Sequence, residues 1–540
     1  MEKIPVFDFK GIKRITIPKR DSDFTVSNGY GWEAIKRFLP QILSAHKQNA
    51  SKIDYLYNYW LGIQDIERKE RTHEINKGNN NKEVENHAKR QVEFKVGFLC
   101  GEQRDYTHKS DTKSDDLIYL DRYFTDCKFF AKDADLKEMF YATGIGTTIT
   151  RPRTDIIISD GVDAVTKAEK YRYKTADEGF NIEFECPFEF DQVDPKENFV
   201  VYSSLPNKQP LFCVSYVDVD ATTPADIVPV TKKELLIETR YAWFKFYADN
   251  ALGTFYWNND NDVVIQPKAM QYMPMIEFSA NKDRMGIVET NRSAFNTINL
   301  FRSSVNDMIV DNANAILVFK NVDIESEEVK EMRKAGAIII SDSNNAKQGG
   351  IASLDTVTVE IPLDKMTVYL DQVMQNAYDI VGVPLASGSV TSGGDTGQAR
   401  LLGGGWNNAY IIINKEIIHI KGIDYDQLKL FLQLCKAVPN CPLNELYASQ
   451  IDINYRVNQN DNLLVKAQSM KYLYDMMLPE EFVLKVGGLS NDIKTDTANW
   501  QANIERRTKA EQKAEAQSQT DVEVIATEDS DNKSSQEVII

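Results

Sequence analysis

The chain has 540 residues, a formal net charge of −17 and 26% charged residues, which is typical of a folded protein of about two to four domains. Its acidic balance argues against tight binding to a nucleic-acid backbone, because such binding depends on Lys and Arg displacing counterions. No apolar run approaches the roughly 18 residues of a membrane span. Residues 1–20 also lack the apolar core of a signal peptide, so we expect the chain to function in water.

The N-terminal half of the chain is predicted to change from helices to strands. Apolar and aromatic residues recur every three or four positions between Ile35 and Trp60, which indicates a helix. The polar run INKGNNNKEVEN, residues 75–86, is interpreted as a loop, and a second helix follows from about Val84. Short alternating segments from about 144 to 220, and again around 240–246, predict strands. The sequence WNNDNDVVIQP is typical of a hairpin with an Asn/Asp turn.

Two later helices carry apolar residues at alternating spacings of four and three, a pattern that favours a narrow seam packed against neighbouring helices. The first runs from about 291 to 315 and the second leads into residue 381. Between them, a strand, a short charged helix and a second strand are predicted over 315–343. The seam residues are Ala294, Ile298, Phe301, Val305, Met308 and Asn312 in the first helix, and Met366, Leu370, Val373, Ala377 and Ile380 in the second.

A glycine-rich stretch, VGVPLASGSVTSGGDTGQARLLGGGW, follows the second seam from Val381 to Trp406 and holds eight of the 27 glycines. It does not fit a phosphate-binding P-loop, since Gly388 and Gly393 are followed by Gly394 and Asp395 rather than by Lys and Ser/Thr. We therefore interpret it as a flexible polar loop. The run Gly403–Gly405 is expected to form a kink or hinge within a helical segment.

The remainder of the chain is predicted to form a helix from 406 to 434, a strand over Ile451–Val457, and further helices. The last 25 residues hold six acids and one lysine among Ser, Gln and Thr, which predicts a disordered acidic tail. The predicted strands in the middle of the chain and the predicted helices on either side of them together indicate an α+β fold.

No motif in the sequence indicates catalysis. The six cysteines form no C-x-x-C pair, and the five histidines are scattered without zinc-ligand spacing. We therefore predict buried, reduced thiols, no metal and no other cofactor. No Ser-His-Asp, H-E-x-x-H or Cys-His arrangement stands out, so catalytic residues are not predicted and the chain is not expected to be an enzyme.

Several segments, in colinear order from about Tyr55 to about Trp500, resemble a known family. These are YLYNYWLGIQDIERK at 55–69, NNKEVENHAKRQVEFKVGFLCGEQ at 80–103, then MPMIEFSANKDRMGIVE, NAILVFKN, and VGVP followed by TGQARLL. Together they resemble the portal, or head-to-tail connector, proteins of tailed bacteriophages, of the type common in long-tailed phages. The tandem Gly403–Gly405 departs from that pattern, as do Cys100 and Glu102.

The resemblance implies a portal fold that assembles as a ring, usually of about twelve subunits, around a central channel. Mapped onto this sequence, it implies a wing over residues 1–288, a first stem helix over 289–315, a clip over 316–360, a second stem helix over 361–383, a tunnel loop over 384–398, a connecting wing and crown helix over 399–440, a crown over 441–515 and a disordered acidic tail over 516–540. The expected location is the virion, at a capsid vertex, with assembly in the host bacterial cytoplasm.

The resemblance also implies roles for particular residues. The expected tunnel-loop residues, which would face DNA in the channel, are Ser387, Gly388, Ser389, Thr391, Ser392, Gly393, Gly394, Asp395 and Thr396. The expected clip residues, which would dock a motor or adaptor, are Glu325, Glu327, Glu328, Lys330, Arg333 and Lys334. Stem packing is assigned to Ile298, Phe301, Val305, Met308, Met366, Leu370 and Val373.

The implied partners are further copies of the chain, the major capsid protein, scaffold protein, the large terminase subunit, a head-completion adaptor and double-stranded DNA, without a membrane. Two other hypotheses stay open at this point. The chain could be a monomeric capsid-associated adaptor, or a nucleotide-binding enzyme whose irregular glycine-rich loop uses Arg400. Oligomeric state separates the first from the ring, because two solvent-facing seams would expose apolar stripes in a monomer.

Overall fold

The predicted helices and strands form an α+β structure. A computed structural model describes residues 7–70, 78–109, 116–162, 169–220, 231–248, 263–268, 270–313, 316–320, 327, 331, 353–357, 363–385, 405–457, 463–476, 478–487, 496–510 and 512. The helices are α1 Trp32–Leu61, α2 His87–Cys100, α3 Asp116–Asp126, α4 Phe129–Thr143, α5 Ile287–Ala313, α6 Leu363–Val381, α7 Trp406–Lys436, α8 Leu463–Asp475 and α9 Glu480–Gly487.

The strands are short and are mostly joined to neighbours in sequence. They are β1 Ile15–Ile17, β2 Asp105–His108, β3 Gly146–Pro152, β4 Ile157–Val162, β5 Glu169–Tyr173, β6 Phe188–Val193, β7 Asn198–Ser203, β8 Pro210–Asp220, β9 Thr231–Thr239, β10 Ala242–Ala248, β11 Val264–Pro267, β12 Met275–Phe278, β13 Ile316–Lys320, β14 Ser353–Val357 and β15 Ile451–Asn454. Apart from the parallel pair β1 and β7, every described strand pair is antiparallel.

Within the described residues, the largest sheet has six strands in the order β1-β7-β8-β9-β10-β11. The N-terminal half of α1 covers it, with Trp32 stacked on Phe244 at 5.3 Å between ring centroids. Ile35, Leu39 and Ile42 of α1 are buried against the same sheet. The strands β7 and β8 carry continuous buried runs, 199–201 and 211–214, because their second face is covered by the smaller sheet through Val200 and Cys213.

Two further cores share one face of the smaller sheet β12-β3-β6, whose other face packs through Met275 and Ile149 on Val200 and Cys213 of the six-stranded sheet. In one, the C-terminal half of α1 packs with α2, α4, α5, α6 and the start of α7 around Phe140, Phe295 and Tyr378. In the other, the end of α7 packs on α3, α4 and β6, and Phe431 stacks on Phe188 at 4.5 Å. Helix α1, which at 30 residues is about 45 Å long, therefore contributes to two cores.

The chain divides into two compact units, residues 1–458 and 459–540. In the second unit, α8 packs against α9, and Tyr474 stacks on Trp500 of the helical stretch 496–510 at 5.2 Å. None of the helices in the described part of the chain has the length and apolarity needed to cross a membrane. The predicted acidic tail, 516–540, lies outside the described residues.

One expectation about the glycine-rich stretch is corrected. Gly405 does not interrupt a helix, because α7 begins at Trp406 and Gly405 precedes it with a φ of 82°. This left-handed conformation is one that glycine adopts at little cost, so Gly405 sets the entry of the chain into α7. Gly403 and Gly404 lie outside the described residues.

The predicted hairpin and late strand are present in part. β10 pairs with β11, whose residues come from the end of WNNDNDVVIQP. β15 occupies the first four residues of the predicted Ile451–Val457 strand and pairs with β2. The described partner of β13 is β14, at 353–357, whereas the predicted second strand near 337–343 lies outside the described residues.

We predict that acid destabilises the interface between α1 and the six-stranded sheet through His46. Its ring stacks on Phe199 at 3.8 Å, and its Nε2 lies 2.8 Å from the carbonyl oxygen of Lys196. Burial lowers the pKa of His46 to about 4, below its ordinary 6.5. The unfolded chain therefore takes up this proton first as pH falls from 6.5 towards 4, and stability decreases by roughly 3 kcal/mol over that range.

Urea unfolding of the wild type and of His46→Gln, measured across that pH range, checks this prediction. The variant is expected to be less stable at neutral pH, because it loses the stacked ring, and to lose less stability on acidification. The same acid-dependent loss in both proteins would contradict the role given to His46.

Candidate functional site

The two predicted seam helices form an antiparallel pair. Near one end, Nδ2 of Asn291 in α5 donates to the carbonyl oxygen of Ala377 in α6 at 2.6 Å. Ten residues further along α5, the ring of Phe301 lies 6.2 Å from that of Tyr369, eight residues back in α6. The antiparallel strand pair β13-β14, called the hairpin here, lies between the two helices in sequence, and residues 321–352 separate its two strands.

The base of this helix pair is fixed by buried polar contacts. Asn291 also donates to Oε1 of Gln91 in α2 at 2.9 Å, and Gln91 in turn donates to the carbonyl oxygen of Ala377. On the other side, Nδ1 of His87 lies 2.9 Å from the hydroxyl of Tyr378, and burial raises the pKa of Tyr378. The proximal ends of α5 and α6 are therefore held rigidly against α2.

Burial decreases along the pair towards the hairpin. Of the residues predicted to pack the stem, Ile298 and Leu370 are buried, and the others are half-buried: Phe301, Val305, Met308, Met366 and Val373. Six large apolar side chains from the middle to the hairpin end of the pair are exposed on a single chain: Leu300, Ile309, Val310, Leu363, Val368 and Tyr369. Such a concentration marks a surface that is covered in an assembly. The seam prediction is wrong for Ile380, at the base of the pair, which is exposed as well.

A polar segment, residues 79–86, runs along α5 and is called the strap here. The backbone N–H groups of Asn81, Glu83 and Glu85 donate to side chains of α5 at 2.8, 2.9 and 2.9 Å. The acceptors are Asp307 Oδ1, Ser303 Oγ and Asn299 Oδ1, in that order. Every second residue of the strap thus donates a backbone hydrogen bond to a side chain of α5, and successive acceptors lie four residues apart in the helix.

This pairing follows from two backbone repeats that nearly coincide. Two residues of extended chain span about 6.6 Å, and four residues of an α-helix rise about 6.0 Å. Alternate N–H groups of the strap therefore reach successive turns of one helix face. The strap fixes α5 both in rotation and in register along its axis.

Asp307 is the centre of the strap contacts. Besides the N–H of Asn81, it accepts from Nδ2 of Asn81 at 2.8 Å and from Nζ of Lys69 at 2.6 Å. Burial raises the pKa of the Asp307 carboxyl, but the hydrogen bonds from Lys69 and Asn81 outweigh it, so the net pKa is lowered. A second ion pair joins Arg302 to Glu85 at 2.7 Å.

The strap was missed from the sequence, where INKGNNNKEVEN was interpreted only as a loop between helices. The donors are backbone N–H groups, which leave no pattern in the sequence, and the acceptors Asn299, Ser303 and Asp307 are spaced by four among many other polar residues of α5. Recognising the match required knowing that the two segments are neighbours.

The start of α7 meets the end of α6. Nδ2 of Asn408 donates to the carbonyl oxygen of Asp379 at 2.8 Å, and a Cβ placed on Gly405 would lie 3.7 Å from Cα of Pro384. The segment 386–404 therefore leaves and returns at nearly the same point. All nine predicted tunnel-loop residues, 387–396, belong to this segment and lie outside the described residues.

The predicted clip residues are described only in part. Glu327 is helical and exposed, while Glu325, Glu328, Lys330, Arg333 and Lys334 lie outside the described residues. Their proposed docking role stays a prediction.

A buried charge cluster anchors the middle of α7. Arg104 donates to Asp424 of α7 at 2.9 Å and to Asp133 of α4 at 3.2 Å. Lys137 also bonds Asp133, and Tyr455 bonds Asp424. Burial raises the pKa of Asp424, whereas Arg104 and Lys137 outweigh burial at Asp133 and lower its pKa. The cluster is satisfied internally and joins α4, α7 and the segment after α2.

The described surface offers an open cleft but no metal centre. The cleft, of about 960 Å³, lies beside α1 and is lined by side chains of both charges, including Lys13, Lys47, Asp54 and Asp65. At its floor, Lys52 pairs with buried Glu289 at 2.8 Å. Among the described residues, no group of three or more His, Cys, Asp or Glu side chains could hold a metal ion.

The sequence model for the family described as phage portal protein, SPP1 Gp6-like, matches residues 39–399. The match covers roughly two thirds of the chain, from α1 through the hairpin and α6 into the glycine-rich stretch. The chain therefore belongs to this family, and the resemblance drawn from the sequence is confirmed. No curated protein matches the chain.

Membership of the portal family indicates a structural role. Portal proteins are structural head-tail connectors of bacteriophages rather than enzymes, and the family implies a homo-oligomeric ring at a capsid vertex with capsid and terminase contacts in general. DNA packaging is likewise implied by the family.

We predict that Ser303→Ala loosens the strap. The substitution removes the acceptor for the Glu83 N–H and should lower the free energy of unfolding by about 1 kcal/mol. Hydrogen exchange at the Glu83 amide should accelerate as the strap opens locally.

Ser304→Ala is the matched control, since Ser304 is the next residue of α5 and is only half-buried. It should leave both the unfolding free energy and the exchange of Glu83 nearly unchanged. Equal effects of the two alanines would show that the strap contact is not what stabilises this face.

Proposed function

We propose that this chain forms a ring-shaped channel at one capsid vertex, through which DNA enters during packaging and leaves during ejection. In this proposal α5 and α6 are the stem helices, the β13-β14 hairpin belongs to the clip, and residues 384–398 form the tunnel loop. The observation that carries the proposal is the exposure of six large apolar side chains from the middle to the hairpin end of the α5-α6 pair.

That exposure favours a ring over a monomer. In a single chain, the apolar surface of the helix pair is in contact with water. Burying that surface between subunits is favourable by about 25 cal/mol per Å² of apolar area. Copies arranged around an axis bury the same surface on every subunit, because each contact is repeated until the ring closes. The rigid base of the pair, held by Asn291 and the strap, keeps the helices in one orientation relative to that axis.

The loop suits passage of DNA without adhesion. Pro384 and Gly405, which lie on either side of the segment 385–404, are close together. The proposed tunnel loop, 384–398, is rich in small polar residues and has Asp395 as its only charged residue, and the chain as a whole carries a charge of −17. Negative charge on the wall repels the phosphates of the duplex and avoids the counterion release that produces tight binding.

The partners in this proposal are the major capsid protein and scaffold protein at the wing, and the large terminase subunit followed by a head-completion adaptor at the clip. Nucleation of procapsid assembly would follow from the wing contacts. The acid Glu327 is exposed, as a docking side chain must be.

We predict that deleting residues 388–394 shortens or releases the packaged DNA while rings still form. The reason is that the deletion shortens the proposed tunnel loop but keeps Pro384 and Gly405 on either side of it. DNA length in filled heads, measured by gel electrophoresis of extracted genomes, checks this. Replacing the same seven residues by a Gly/Ser stretch of equal length is the control and should package more than the deletion. Unchanged packaging in the deletion would remove the tunnel-loop role.

We predict that Glu327→Lys with Glu328→Lys impairs binding of the terminase or adaptor while rings still assemble. Reversed charge at a docking surface replaces attraction by repulsion and mainly slows association. The control is Glu480→Lys with Glu481→Lys, a second adjacent acidic pair, at the start of α9. Pull-down of each partner by purified rings measures the difference. Loss of rings in the first variant would instead place these residues in subunit contacts.

A further inference from the structure

The solvent-facing stripe of α7 changes character along the helix. Its C-terminal half carries Asp426, Lys429 and Lys436, as expected for a face in water. Its N-terminal half carries two isoleucines seven residues apart, Ile411 at 64% and Ile418 at 76% exposure. The exposed face of the N-terminal half therefore combines two isoleucines with Asn407, Asn414 and Lys415, whereas that of the C-terminal half has no exposed large apolar side chain.

Gly422 lies where the two halves meet, and nothing described within the chain accounts for it. A Cβ built at this position would have no described atom within 4 Å. Glycine in a helix interior is unfavourable, yet here there is room for a side chain. Glycine is also favoured where another backbone approaches closely. The described residues of a single chain show no such approach to Gly422.

The residues Ile411, Lys415, Ile418 and Gly422 are spaced by four, three and four, and all are exposed. This is the period of a face that packs along another helix. We call these residues the α7 seam.

We propose that the α7 seam binds α6 of the neighbouring copy in the ring. The inference rests on the proposed function and deepens it by naming the subunit contact. In a ring each contact joins two different faces of the same chain, so a second, complementary face must exist on α6 or elsewhere.

α6 offers that complementary face. Asp364, Val368, Asp371 and Gln375 are exposed and are also spaced by four, three and four. The face is acidic around one apolar residue, whereas the α7 seam is apolar around one lysine. Val368 is already among the exposed apolar residues of the helix pair, and the two acids Asp364 and Asp371 complement Lys415 of the α7 seam in charge.

Mass photometry and negative-stain microscopy of the purified full-length chain test this contact with Ile418→Asp. In the proposed ring, Ile418 is buried at every subunit contact, and the variant places a charge there. The protein concentration at which half of the chains are assembled should therefore rise by about tenfold or more. The thermal midpoint of the dissociated subunit should not fall, since Ile418 is exposed there. Ile118→Asp, on α3 at 51% exposure, makes the same change elsewhere and should assemble like the wild type.

Three further variants test whether α6 is the partner helix. Lys415→Glu should weaken assembly, and combining it with Asp364→Lys and Asp371→Lys should restore it, because the charge pairing is then reversed. Gly422→Ala should leave the subunit at least as thermally stable while weakening the ring, since the added methyl group meets the neighbouring helix.

The outcomes separate this inference from the function on which it rests. A wild-type chain that forms no rings overturns both. Rings in the wild type with unchanged assembly of Ile418→Asp overturn the seam contact alone. Weakened assembly accompanied by an equal loss of subunit stability also overturns it, because the seam would then be covered by its own chain. Failure of the charge swap to restore assembly excludes α6 as the partner helix.

Discussion

The near-equality in length of two extended residues and four helical residues is the constraint on which this structure depends. It lets the strap, 79–86, hold α5 along several turns with backbone N–H groups that a loop would otherwise leave to water. Because α6 is tied to α5 and α2 through Asn291, the whole helix pair takes its orientation from these contacts. The apolar surface near the hairpin is thereby presented in one fixed direction.

In the proposed function, fixing the pair in this way lets an acidic chain build a channel. Much of the energy of assembly would come from apolar surface on helices, so the channel wall can remain negative. Passage of DNA would then need no binding energy from the wall.

Periodicity predicted the elements that carry this role, but not the contacts that orient them. The seam spacing identified α5 and α6, including buried Ile298 and Leu370, because packing against a neighbour imposes a regular apolar pattern. The strap was invisible because its partners lie more than 200 residues apart in sequence. Gly405 was misplaced inside a helix because a glycine run alone does not reveal which residue starts the next helix. The clip and tunnel-loop assignments came from family resemblance and remain predictions.

Electron microscopy of the purified chain, with mass photometry at near-physiological and at low salt, tests the central claim most directly. The account predicts closed rings with a central hole, at about twelve times the subunit mass, with a pair of long helices from each subunit facing the hole. A uniform monomer under every condition, including with capsid and scaffold proteins added, would contradict it. So would rings in which the α5-α6 pair points away from the axis.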